Sequence, residues 1–213
     1  KDARYTRVNL RVDIAQARAL RAFTYFYMVR IWGDVPLITK SFDDGSFEQR
    51  ERRDQAVVLN FAENELLASI EDLQYTYGSS IALYYGEANS YWRNILFNKL
   101  TAYAILAHIS AWQGKYINVD TYTQFIMNNY ANISIDYIIS ISDLTGIFGI
   151  FSNNYESGQL LSIPASYNYG EATATGHIEQ LTLASPIVSK QRPDLYVPKD
   201  SIIAIFNDIN DTR

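Results

Sequence analysis

The chain has 213 residues, with 18 Lys and Arg against 23 Asp and Glu and a formal net charge of −5, and its acids and bases are interspersed. That balance gives no basic footprint for nucleic acid, and 48% apolar with 19% charged residues excludes a disordered polymer. The absence of cysteine removes disulfides, thiolate metal sites and thiol nucleophiles together, and no apolar run approaches the ~20 residues that span a bilayer.

The first element in chain order is a helix over residues 13–32. Ala15, Ala19, Leu20, Ala22, Phe23, Phe26, Met28, Val29 and Ile31 make it apolar almost all the way round, so central burial is expected. Gly33 stops it and Pro36 prevents resumption. A charged loop through Asp43, Asp44 and Gly45 leads to Asp54, an N-cap for a second helix. Its stripe of Leu59, Ala62, Leu66, Ile70, Leu73 and Tyr77 predicts a helix as far as Tyr77. Gly78, Ser79 and Ser80 end it, and a tyrosine-rich connection with Tyr84, Tyr85 and Gly86 follows.

Residues 91–113 predict a third helix, through Leu96, Leu100, Tyr103 and Ala107. Gly114 closes it, and the short turn at Lys115 and Tyr116 leads into a fourth helix near Val119 to Tyr130. So tight a turn forces the two helices antiparallel, as in an αα-hairpin. With small Ala104 and Ala107 inside, residues 100–128 resemble one tetratricopeptide unit, and a free-standing solenoid needs about three. Beyond Ile133, Asn, Ser, Gly and Tyr dominate, with short apolar pieces at 160–164 and 178–183 that read as strands or ordered loops. A last short helix is expected over 200–206.

Two histidines leave little room for catalysis or metal binding. His108 lies mid-helix beside Ala107 and Ile109, where a structural role is expected, and His177 has no histidine or cysteine companion. No glycine pattern forms a phosphate loop, and Asp208, Asn210 and Asp211 lack the glycine and final glutamate of an EF-hand. The reading is of no enzyme, no cofactor and no metal.

The run Ala17-Arg18-Ala19-Leu20-Arg21-Ala22-Phe23, then Tyr25-Phe26 and Arg30-Ile31-Trp32-Gly33-Asp34-Val35-Pro36-Leu37-Ile38-Thr39, resembles the signature of the SusD/RagB family. Leu100 to Tyr116 is similar to the family's tetratricopeptide helix and its corner, and residues 196–213 resemble a later family segment. The resemblance implies a mostly α fold: a SusD-like helical domain with tetratricopeptide-like helix hairpins, long loops and a few short strands. Residues 1–213 are read as a single domain, incomplete at both ends, with 13–130 its helical part and 131–213 its loop-rich ligand side.

Functionally, the resemblance implies a non-catalytic cell-surface protein that binds oligosaccharides or other nutrients and delivers them to a TonB-dependent SusC-like transporter. It implies an outer-membrane lipoprotein whose lipid anchor is not in this chain, the membrane being touched only through that anchor. Sugar capture of this kind stacks aromatic rings on sugar faces and bonds hydroxyls with polar neighbours. Tyr155, Tyr167, Asn168 and Tyr169 are the candidates in the loop region, with His177 and Trp92 behind them. The rival reading is a tetratricopeptide-type protein–protein interaction scaffold, and the single repeat-like unit counts against it.

Overall fold

The computed structural model describes residues 6–41, 45, 49–78, 83–92, 95–133, 160–161, 185 and 189–205. It is mostly helical, as expected. Helix α1, Arg7–Trp32, starts earlier than its apolar pattern predicts, because the Thr6 hydroxyl caps it by accepting the Asn9 amide at 3.0 Å. It ends at Gly33, whose φ of 68° a side chain would resist and whose amide donates to the Val29 carbonyl at 2.8 Å.

The abrupt turn after α1 joins it to the next helix. Asp34 accepts the Gln55 amide at 2.9 Å, and Asp54 accepts the Ala56 amide at 2.7 Å. Two carboxylates thus satisfy the first amides of α2, Gln55–Ile70, which a helix cannot satisfy for itself. Buried Val35 forms a backbone bridge to Arg53, and Tyr25 holds the chain beyond Pro36 with its hydroxyl, which donates to the Ile38 carbonyl and accepts its amide.

Helices α1 and α2 pack antiparallel: Arg21 pairs with Glu65 and Arg11 with Asp72, so residue number rises along one helix as it falls along the other. Ala15, Ala19 and Ala22 let the backbones approach, and Ala62, Leu66 and Val58 fill the seam. Arg21 also lies over the Phe61 ring, its carbon 5.4 Å from the centroid. No ion pair holds Arg18 among the described residues.

Only one face of α1 is buried. Leu10, Ile14, Leu20 and Ile31 are exposed along the other, so the expected burial all round is not found among the described residues. Helix α2 stops at Ile70, short of the predicted Tyr77. Leu73 and Tyr77 remain buried in a turn and an irregular segment, which is why the apolar spacing outlasts the helix.

The predicted third helix is two elements. A short α3, Asn89–Trp92, precedes a break, and Asn98 caps α4, Lys99–Trp112, by accepting the Thr101 amide at 2.9 Å. Helix α4 turns at Gly114 (φ 73°), with the Lys115 amide returning to the Ser110 carbonyl at 2.8 Å, and α5 follows over Tyr116–Asn129. The pair forms the expected antiparallel hairpin: Tyr103 stacks on Phe125 at 3.9 Å, and the turn lies midway between them. A 3₁₀ turn, Tyr130–Ile133, ends in buried Ile133. Leu161 packs on the core and lies in no strand, while the Leu160 carbonyl accepts the Thr101 hydroxyl at 2.9 Å; the rest of 160–164, and 178–183, lie outside the described residues.

The backbone forms two compact units, Lys1–Ile139 with Gly149–Ser162, and Ser140–Phe148 with Ile163–Arg213. All the helices above belong to the first. In the second, the Ser185 amide donates to the Lys190 carbonyl at 2.7 Å, and α6 spans Lys199–Ile205 with Asp200 in its first turn. No helix among the described residues is long and apolar enough to cross a membrane.

Candidate functional site

Of the six residues singled out for ligand contact, Trp92 is described; Tyr155, Tyr167, Asn168, Tyr169 and His177 lie outside the described residues. Trp92 sits at the end of α3 within a cluster of aromatic side chains, and the local chain path explains how they meet.

Gly78 begins the segment at φ 76°, its α-carbon so close to the following strand of chain that a β-carbon would stand 2.4 Å from the Glu87 carbonyl. Tyr84 and Glu87 then exchange both backbone hydrogen bonds, at 3.0 and 3.1 Å. The two residues between them, Tyr85 (φ 52°) and Gly86 (φ 87°), both take positive φ, which is the requirement of a type I′ turn. Asn-Gly is the usual solution. Tyrosine in the left-handed region costs about 1–2 kcal/mol, so something must hold Tyr85 there.

The holding group is Asp13 on α1. Tyr85 donates its hydroxyl to Asp13 Oδ2, and Tyr84 donates to Oδ1 at 2.6 Å. One carboxylate therefore anchors two adjacent phenols to the helix. Burial raises the Tyr84 hydroxyl far above its usual range, and its hydrogen bond to the Asp13 carboxylate adds to the effect. Tyr84 stays a neutral donor at any physiological pH.

The rings grade from core to solvent. Tyr77 is deepest, its hydroxyl donating to the Phe97 carbonyl at 2.6 Å and accepting from Gln16 Nε2 at 2.8 Å. Tyr84 packs on Tyr77 and edge-on to Trp92, both at 5.5 Å between centroids. Trp92 is half-buried, its indole N–H donating to the Tyr84 carbonyl at 2.9 Å. Tyr91 stands edge-on to Trp92 at 4.8 Å and is 56% exposed.

The arrangement suits a rigid aromatic platform. Tyr77, Tyr84 and Trp92 have their polar ends bonded within the protein, while Tyr91 and parts of Tyr85 and Trp92 reach solvent. Asp13, Tyr84, Tyr85 and Tyr91 were not singled out from sequence as contact residues. The signal was the density of aromatics between 84 and 92, where Tyr84 and Tyr85 read as a connection and Tyr91 as the start of the third helix. No group of three or more His, Cys, Asp or Glu side chains assembles for a metal among the described residues, and His108 is exposed on α4.

A helical layer with this hairpin and this signature turn belongs to a known class. A solved SusD superfamily protein from Bacteroides thetaiotaomicron VPI-5482 is 49% identical over 98% of this chain and 44% of that one, with a TM-score of 0.80. The chain is a member of the SusD/RagB family, as the signature at residues 17–39 implies. The SusD-like protein P2 of Formosa agariphila is 26% identical, covering 83% of this chain and 39% of that relative. A laminarin-binding SusD-like protein shares the fold at 20% identity and a TM-score of 0.53, over 71% of this chain and 31% of that one. No family model matches the chain. The chain spans less than half the length of each of these relatives.

Proposed function

We propose that the chain is part of a non-catalytic, cell-surface glycan-binding protein of the outer membrane, held there by a lipid anchor, which passes oligosaccharides to a TonB-dependent SusC-like transporter. The observation that carries the reading is the aromatic platform of Tyr85, Tyr91 and Trp92, fixed to a SusD-type helical frame by Asp13. Aromatic rings offer large contact area at small entropic cost, and sugar C–H faces match them. The laminarin-binding relative supports a saccharide as the ligand class. Tyr155, Tyr167, Asn168, Tyr169 and His177 are proposed to complete the ligand surface from the loop-rich part, within one functional domain.

The protein-facing side of the same reading is a different patch. Arg30 lies over the rings of Phe26, Tyr27 and Trp112, 5.2–5.8 Å from their centroids, and Trp32 and Ile31 are exposed beside it in sequence. Tryptophan, tyrosine and arginine are the residues enriched in protein–protein hot spots, so this end of α1 and α4 is proposed to face the transporter. The same patch is what favours the alternative of a peptide-gripping scaffold.

Calorimetric titration of the chain against laminari-, malto-, xylo- and mannohexaose tests the proposal. Saturable binding that Tyr91→Ala and a Tyr167→Ala, Tyr169→Ala variant each weaken supports glycan capture. No binding to any saccharide, with retained affinity for a peptide, selects the scaffold.

A further inference from the structure

A second concavity lies at the start of α1, apart from the aromatic platform's exposed rings. It has a volume of about 440 Å³, within the range of about 300–1,000 Å³ for small-molecule sites. Arg11 of α1, Glu71, Asp72, Gln74 and Tyr75 after α2, and Lys99 of α4 line it. Three elements meet there, and backbone bonds fix their relation. The Lys99 amide donates to the Gln74 carbonyl at 3.0 Å, and the Gln74 amide donates to the Tyr77 hydroxyl at 3.2 Å.

The lining groups fall into a pattern that a merely solvated surface does not require. Tyr75 is half-buried and held by its hydroxyl, which donates to Asn129 Oδ1 at 3.1 Å, and the Lys99 ammonium lies 5.6 Å from its ring centroid. Lys99 and Glu71 form no ion pair among the described residues, while Arg11 is already paired with Asp72. The cleft therefore presents an ammonium donor held at a ring, a carboxylate acceptor outside any ion pair among the described residues, and a ring wall. Its two acids balance its two bases, which disfavours an anionic ligand and leaves hydrogen bonding as the basis of recognition.

We propose that this cleft is a second saccharide subsite, taking one neutral hexose unit, with the Lys99 ammonium donating to one hydroxyl, Glu71 accepting from another, and Tyr75 forming the wall. It rests on the glycan-capture reading and deepens it: two separated subsites favour an extended chain over a single sugar, because linked contacts add without new translational cost.

The test is calorimetry with the same hexasaccharides and the matching disaccharides, on the chain and on two variants. One is Glu71→Gln with Lys99→Met, which keeps the net charge and nearly the same side-chain size at an exposed and a half-buried position; the other is Tyr91→Ala at the platform. The expected result is about a tenfold loss of hexasaccharide affinity in the cleft variant, equal to about 1.4 kcal/mol, with melting unchanged. A further expected result is that the advantage of hexa- over disaccharide shrinks. Cleft-variant affinity equal to wild type, while Tyr91→Ala weakens binding, would overturn the subsite and leave glycan capture standing. With hexagalacturonate added to the panel as the anionic control, a preference for it over the neutral chains that the cleft variant loses would overturn the neutral-ligand assignment. No saccharide binding by the unmodified chain would overturn both readings together.

Discussion

Replacing Tyr77 by Phe removes a hydroxyl that serves three neighbours at once. It donates to the Phe97 carbonyl and accepts from Gln16 Nε2 and the Gln74 amide. Gln16 still donates to the Phe97 carbonyl at 2.7 Å in the variant, so the group left without its partner is the Gln74 amide. Such an unsatisfied donor costs about 1–3 kcal/mol, and that is the expected loss of stability near neutral pH. The alkaline behaviour is the sharper check. Burial pushes the Tyr77 hydroxyl up to about 12 from 10.0, against the opposing hydrogen bonds from Gln74 and Gln16.

Between these values the unfolded chain has lost a proton that the folded chain keeps. Tyr77's contribution is therefore fully present below pH ~10 and is lost as pH rises toward 12, at about 1.4 kcal/mol per unit and about 3 kcal/mol in all. Tyr77→Phe lacks this slope. Urea unfolding followed by far-UV circular dichroism at several values from pH 8 to 12 should show wild type above the variant at pH 8 and the two converging by pH 12. A gap that stays constant across the range would refute the buried, proton-retaining hydroxyl.

Three further outcomes are expected from single substitutions. Gly78→Ala meets both the positive φ and the Glu87 carbonyl 2.4 Å from the new carbon; a loss of about 2 kcal/mol or more is expected, with a weakened near-ultraviolet aromatic signal as the 84–92 cluster shifts. Leu66→Ala empties a fully buried position in the α1–α2 seam and should cost about 2–5 kcal/mol by denaturant unfolding. Asp34→Ala leaves the Gln55 amide uncapped and should cost about 1 kcal/mol, seen as a melting temperature about 2–4 °C lower.

Much of the helical part was legible, and for physical reasons. Gly33-Asp34-Val35-Pro36 marked the end of α1, while its all-round apolar pattern did not single out the face with Ala15, Ala19 and Ala22 that meets α2. What sequence alone could not show was that Asp34 reaches across to cap α2, since that depends on where the chain returns. Helix lengths were misread where burial and helicity part company. Leu73 and Tyr77 continue the α2 stripe because the chain stays against the same core after the helix has ended. The Asn98 cap was readable in principle, but the apolar spacing through Leu96 and Leu100 ran across it. The platform was hidden for another reason. Tyr84 and Tyr85 reach Asp13 across 71 and 72 residues, and no local pattern announces so distant a pairing. The loop tyrosines at 155, 167 and 169 lie outside the described residues, so their place in the ligand surface rests on the proposal.

The bridge between Val35 and Arg53, with Asp34 bonded to the Gln55 amide, fastens both ends of the intervening stretch to the α1–α2 pair. In polymer terms that stretch is a tethered loop, and the penalty for lengthening such a loop grows only logarithmically, about 0.6 kcal/mol for each doubling. Residues could be added between 40 and 50 at little energetic cost, since the described bonds that join the turn to α2 are made at residues 34, 35, 53 and 55 and the α1–α2 ion pairs lie on the helices and just past α2. This is therefore the place to graft an epitope or a fluorophore for tracking the protein, because the α1–α2 seam, the aromatic platform and the cleft lined by Tyr75 draw no described residue from it.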